Sequence, residues 1–256
     1  MLYGLYLSAQ GAQAQSTRLD VLSNNLANSQ TSGFKRDLAV FQSHRPYDVE
    51  NGGVSDAPGN QGAFSGGVGT AKIITDYTSG PLVHTNGELD VALNGPGYFQ
   101  VSDGNQQYLT RKGTFTLSSA GDLMLQGTNM HVLSSSGGVI NVPSDATQIE
   151  ILADGSISAA NASGAQVQVA HLGLFKPGSD QQLQKVGSSL FRANDAVSPA
   201  GNDSTVQQGF IEQSSVNPVN EMIEMVQASR MVEANVNMIK YQDDALDRLL
   251  QSAAPH

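Results

Sequence analysis

The chain of 256 residues carries 13 Lys and Arg against 23 Asp and Glu, a net charge of −10 that works against nonspecific binding of nucleic acid or anionic membrane. Its 39% hydrophobic and 14% charged residues suit a folded protein, and its 27 glycines suit turns more than a large helical core. Cysteine is absent, which excludes disulfides, thiol catalysis and thiolate metal sites.

The first predicted element is a helix from about Leu2 to Asn28, roughly 40 Å long at 1.5 Å per residue. Leu2, Leu5, Ala9, Ala12, Ser16, Leu19, Ser23 and Leu26 recur at alternating three- and four-residue spacing, the pattern of a helix that packs lengthwise on another. Gly4 and Gly11 weaken it by up to ~1 kcal/mol each relative to Ala, so it needs a partner. No Lys or Arg precedes Ala12-Gln13-Ala14, and polar residues interrupt the apolar run, which argues against a cleaved signal peptide. Nothing in the chain approaches the ~20 largely apolar residues of a membrane-crossing helix. Asn24, Asn25 and Asn28 place amides where the last helical carbonyls need donors. Gly33 is suited to positive φ and Phe34 to anchoring the exit, so this segment reads as a joint.

Residues 35–71 are polar and rich in Gly, Asn and Ser, and read as a long extended connector in which a hairpin is an option. The glycines of Ser65-Gly66-Gly67-Val68-Gly69-Thr70 lack the Gly-Lys-Ser/Thr ending of a phosphate loop. Residues 72–209 read as an all-β body. Strands are predicted over Lys72 to Tyr77, Leu89 to Leu93, Tyr98 to Ser102, Gln107 to Thr110, Thr114 to Leu117, Asp122 to Leu125, His131 to Leu133, Val139 to Val142, Gln148 to Leu152 and Gln166 to Phe175. Asp103-Gly104, Gly121-Asp122, Gly137-Gly138 and Asp154-Gly155 supply turns between them. His44, His84, His131, His171 and His256 show no close metal-ligand spacing. Asp90, Asp103, Asp122, Asp145 and Asp154 mostly adjoin Gly or Ser, where side-chain turn bonds are the common role. The residues therefore offer no catalytic, metal or cofactor candidates.

The last predicted helix runs from Pro218 to Gln251, roughly 50 Å. Asn217 suits its N-cap, Pro218 its first position, and Glu221 and Glu224 complement the dipole, while Arg248 falls in the expected last turn. Its stripe is Met222, Met225, Ser229, Val232, Val236, Ile239, Asp243, Leu246 and Leu250, with Gln242 expected on the solvent side. Within the two stripes Ser16, Ser23, Ser229 and Asp243 either tolerate solvent or fix register, since an apolar seam is indifferent to sliding. Asp243 needs solvent or a donor from a neighbouring subunit. The fold class expected is α+β, with N- and C-terminal helices forming a coiled-coil-like pair, an extended connector and a central all-β domain. The expected domains are 1–34, 35–71, 72–209 and 210–256, the last packing with the first. Such bracketing suits an assembling structural protein. A polysaccharide-binding or polysaccharide-cleaving β protein, and an adhesin or binding module with dimerising helices, are the alternatives.

Several separated motifs resemble one family. Leu22-Ser23-Asn24-Asn25-Leu26-Ala27-Asn28 followed by Thr31-Ser32-Gly33-Phe34-Lys35-Arg36 is similar to the N-terminal signature of the axial proteins of the bacterial flagellum, the rod and hook group. Leu89-Asp90-Val91-Ala92-Leu93 with Gly97-Tyr98-Phe99-Gln100-Val101, and Tyr108-Leu109-Thr110-Arg111-Lys112-Gly113-Thr114-Phe115, continue the likeness. Gln208-Gly209-Phe210-Ile211-Glu212 and Ser215-Val216-Asn217-Pro218-Val219 complete it. The resemblance implies a non-enzymatic subunit of the rod that crosses the periplasm. Its implied partners are further copies of itself, other rod proteins, the hook protein, and the flagellar export apparatus during secretion without a cleaved signal. No nucleic acid, cofactor or membrane insertion is implied. Through Asp76-Tyr77-Thr78-Ser79-Gly80-Pro81-Leu82 the chain looks most like the proximal-rod subunit, ahead of the distal-rod subunit.

Overall fold

The computed structural model of the chain describes residues 2–43, 68–144, 146–161, 165–178, 183–201 and 203–253. Most of the expected connector, with His44, Asp145 and His256, lies outside the described residues. The chain divides into two compact units.

The first unit comprises Met1–Ala27, Asp37–Asp76 and Asn217–His256. Helix α1 spans Leu2–Ala27 and helix α2 spans Pro218–Ala253. The two helices pack against each other, and α1 also carries a two-stranded ribbon, β1 (Asp37–Ser43) against β2 (Val68–Thr75). The Asn217 side-chain oxygen accepts the N–H groups of Val219 and Asn220 at 3.1 and 3.3 Å, which satisfies two orphan donors of the first turn. The helix continues to Ala253, so Arg248 stands before its last turn rather than in it. Strand β1 lies at the start of the expected connector, where Asp37, Gln42 and Ser43 dilute the apolar signal of Leu38, Val40 and Phe41.

The second unit comprises Asn28–Arg36 and Tyr77–Val216 and is antiparallel throughout. Two small pairings, β3 (Leu82–His84) with β18 (Phe210–Glu212) and β4 (Val91–Asn94) with β17 (Thr205–Gln208), join early and late segments. The main sheet contains β5 (Tyr98–Ser102), β6 (Gln107–Thr110), β7 (Phe115–Leu117), β8 (Leu123–Leu125) and β9 (His131–Val132). It adds β14 (Leu183–Val186) and β15 (Leu190–Ala193) in the order β14-β15-β6-β5-β9-β8-β7, and β13 (Leu174–Pro177) pairs with both β5 and β16 (Val197–Pro199). A separate sheet is built from β10 (Ala146–Ile151), β11 (Ser156–Asn161) and β12 (Gln166–His171). Tyr98 to Val101 are all buried rather than alternating, because both faces of β5 are covered. The main core gathers Val91, Phe99, Val101, Leu125, Val132, Ile140 and Leu172. Tyr98, Leu109, Leu183 and Phe191 form a second cluster, with Tyr98 and Phe191 edge-to-face at 5.6 Å.

Two predicted strands differ. Val139 to Val142 contributes only isolated bridges, Val139 to Leu133 and Asn141 to Asp122. Gln166 to Phe175 is two strands, since Gly173 donates to Leu133 O and accepts from Gln100 N–H, which turns the chain from one sheet to the other.

Candidate assembly site

In the second unit the family-like motifs of the sequence meet at one buried carboxylate. Glu212 ends β18 and is 1% exposed; its Oε1 lies 2.7 Å from the Nζ of Lys35, which is 0% exposed. Its Oε2 lies 3.3 Å from Arg111 NH1, and the Gly80 N–H donates to Oε1 at 3.1 Å. Lys35 also donates to Thr78 O, and Arg111 to Leu93 O and Gly95 O. Two cations around one carboxylate are tolerable here because these backbone carbonyls accept further protons from both, leaving Arg111 Nε without a partner among the described residues.

The backbone is locked in the same place. Gly33 N–H donates to Glu212 O, Ser215 N–H to Phe34 O, and Arg36 N–H to Ser215 Oγ. Gly33 has φ of 69°, and a Cβ there would lie 2.5 Å from Lys112 N, so both conformation and space demand glycine. Phe34 is buried, with Lys185 Nζ over its ring at 3.7 Å. Arg111 also lines a cavity of about 330 Å³ with Tyr77, Tyr98 and Lys176. Arg111 and Glu212 lie inside the family-like motifs, but nothing in the spacing of those motifs marks the two as an ion pair. The available signal was a carboxylate following the apolar Phe210-Ile211 pair.

The aspartate turns are local. Asp103 accepts the N–H groups of Asn105 and Gln106, and Asp154 accepts the N–H and hydroxyl of Ser156. Asp90 accepts the Thr85 hydroxyl, and Asp122 the Asn141 amide.

In the first unit the helices run antiparallel, and the α1 residues of this contact fall every seven. A Cβ on Gly4 would lie 3.1 Å from the Gln242 amide, and one on Gly11 3.2 Å from that of Asn235. Arg18 pairs with Glu224 at 3.1 Å, and Asn25 Nδ2 donates to Glu221 Oε2 at 3.3 Å. Asn25 is fully buried, and it holds the Asp37 backbone at both ends, donating to its carbonyl and accepting its N–H. That role differs from the expected capping of helical carbonyls, and it fixes the start of β1. Of the other motif residues, Thr31 donates to the Asn28 carbonyl and side chain, while Asn24 and Ala27 are exposed.

The seam residues distribute as follows. On α1, Leu5, Ala12, Leu19 and Leu26 are half-buried and Ala9, Ser16 and Ser23 exposed; the Leu2 side chain is outside the described residues. On α2, Met225, Ser229, Val232, Ile239 and Leu246 are half-buried, whereas Met222, Val236, Asp243 and Leu250 are exposed. The less exposed line along α2 runs Glu221, Met225, Ala228, Val232, Asn235, Ile239, Gln242 and Leu246. Gln242, expected in solvent, is half-buried because the missing side chain of Gly4 leaves room for its amide.

Paired end helices and a β body whose distant motifs close on a single buried junction define a structural protein rather than a lone binding loop. Three family models match the chain: "Flagella basal body rod protein" over residues 5–35, "Flagellar hook protein FlgE/F/G D1 domain" over 92–159, and "Flagellar basal body rod FlgEFG protein C-terminal" over 207–252. The flagellar basal-body rod protein FlgG of Bacillus subtilis is 32% identical over 98% of each chain. FlgG of Agrobacterium fabrum is 33% identical over 94% of this chain and 95% of its own. FlgF of Caulobacter vibrioides is 30% identical over 92% and 91%. The chain belongs to the flagellar basal-body rod protein family, as a structural subunit of the rod in the basal body of the bacterial flagellum.

Proposed function

We propose that the chain polymerises helically through its terminal helices and transmits motor torque to the hook, without catalysis. The axial element, expected over 1–34 and 210–256, takes its coiled-coil-like pair from α1 and α2, while Asn28–Arg36 and Tyr77–Val216 belong to the body. The observation that carries this reading is the surface of α2. Ten large apolar side chains along it are exposed, Val219 at 59%, Ile223 at 53% and Tyr241 at 70% among them. An apolar surface of that extent calls for a protein partner. A heterologous contact that does not close on itself produces a filament, and many packed contacts that cannot yield separately give torsional stiffness.

The partners are further copies, other rod proteins and the hook protein, with the export apparatus handling the chain before assembly and no signal peptide removed. The preference for a proximal over a distal position draws no support from the relatives above, among which FlgG and FlgF proteins both span the chain. Immunogold labelling of the tagged chain in purified hook–basal bodies tests both points. Label within the rod is expected, and its level along the axis assigns the position. Intact hook–basal bodies devoid of the chain would overturn the reading.

A further inference from the structure

The helix pair mixes polar and apolar side chains in its contact and leaves a broad apolar surface outside it. Gly4, Gly11, Asn25, Glu221, Asn235 and Gln242 occupy the contact between α1 and α2, while Ile223, Val226 and Tyr241 face outward at 53%, 53% and 70% exposure. Half-buried Met225, Val232, Ile239 and Leu246 share that inner line, and the pair still leaves the outward apolar side chains for another molecule to cover.

The outward face of α1 is the chain's own complement to that surface. Ala9, Gln13, Ser16, Asp20, Ser23 and Ala27 are all exposed and recur at alternating four- and three-residue spacing. This is a second helical seam, left exposed among the described residues and lined mostly by small side chains. Asp20 and Arg230 are exposed, and neither makes an ion pair among the described residues.

We propose that the outer face of α2 in one copy lies antiparallel on the outer face of α1 in the next, with Arg230 opposite Asp20. The inference rests on the reading of the chain as a polymerising rod subunit. Its sense follows from symmetry: α1 and α2 are antiparallel within a chain, and copies related by rotation and translation along one axis keep that sense. Once Arg230 stands opposite Asp20, counting outward in opposite directions brings Tyr241 over Ala9 and Ile223 over Ala27. Bulky side chains then meet small ones at both ends, as ridges meeting grooves. Self-pairing of the α2 face would instead be isologous and would close a dimer.

Charge reversal tests the pairing. Asp20→Arg and Arg230→Asp should each reduce incorporation into rods by about tenfold, since like charges then face each other across the contact. The double variant should restore incorporation, and the unfolding curve of the free chain should stay unchanged in all three, because both residues are exposed. Because the chain has no natural cysteine, Ala9→Cys and Tyr241→Cys chains can also be mixed. Assembled together they should form a disulfide between chains, whereas the doubly substituted chain should form none as a dilute monomer. Single reversals that incorporate at the unsubstituted chain's level, a double variant that stays excluded, or Tyr241→Cys chains that couple only to one another would each overturn this arrangement. If the unsubstituted chain itself fails to enter rods, the functional reading fails instead, independently of this contact.

Discussion

Glu212 shows how one side chain can hold together segments far apart in the sequence. Replacing it with Ala leaves Lys35 and Arg111 buried without their shared counter-charge, and removal of one partner from a buried ion pair costs about 3–5 kcal/mol. Denaturant unfolding of the β body should register that loss, and a change within a few tenths of a kcal/mol would show the junction to be ornamental. Two exposed carboxylates set a different dependence. The N–H groups of Gln106 and Asn105 hold Asp103 below the ordinary aspartate range, and the hydroxyl and N–H of Ser156 do the same for Asp154. Because their folded-state values are depressed, the stability they contribute is present at neutral pH and is lost as pH falls through those lowered values. Substituting Asn at both positions should flatten the acid side of the stability profile. An acid limb that is unchanged would place its origin elsewhere.

At the scale of elements, the close approach of α1 and α2 depends on Gly11, where even a Cβ would lie 3.2 Å from the Asn235 amide. Gly11→Leu should push the helices apart at a cost of about 1–3 kcal/mol, whereas Gly11→Ala is offset by up to ~1 kcal/mol of helix propensity. Hydrogen exchange across residues 5–27 should speed up in the Leu variant and remain nearly unchanged in the Ala variant; equal exchange in both would show that the pair does not depend on that approach. The two helices and strands β5 and β6 were legible because their periodicity or apolar runs and their flanking turns agree. The seam inside the helix pair was less legible. A search for apolar spacing selects Met225, Val232, Ile239 and Leu246 but passes over Gly4, Gly11, Asn25, Glu221, Asn235 and Gln242, which meet in the same contact. β14, β15 and β17 escaped for a related reason: each buries a single large side chain, Leu183, Phe191 or Val206, among polar neighbours. The burial of Lys35 and Glu212 was hidden, because charged residues read as surface until their partners are known.

For the whole molecule, the division between Ala27 and Asn28 locates a cut that should spare the β body. Deleting residues 1–27 should leave the unfolding of the second unit nearly unaltered while abolishing incorporation into the rod. Deleting residues 1–36 also removes Phe34 and Lys35 and should lower that unit's stability by about 3–5 kcal/mol. Unfolding curves of the two truncated proteins provide the comparison. Identical curves would mean that residues 28–36 do not belong to the folded body. Normal rod incorporation of the shorter deletion would exclude α1 as an assembly element.

The junction also orders events in time. Lys35 and Glu212 are 177 residues apart in the chain, and Arg111 and Glu212 are 101 apart. Closing loops of such length must precede any energetic return from the contact, and native contacts this distant in sequence slow folding. A chain moving N-terminus first, with residue 212 not yet delivered, carries two cations still awaiting their carboxylate. The junction therefore stays open until residue 212 of the 256 is available, and the same ion cluster that fastens the finished subunit acts as its final latch.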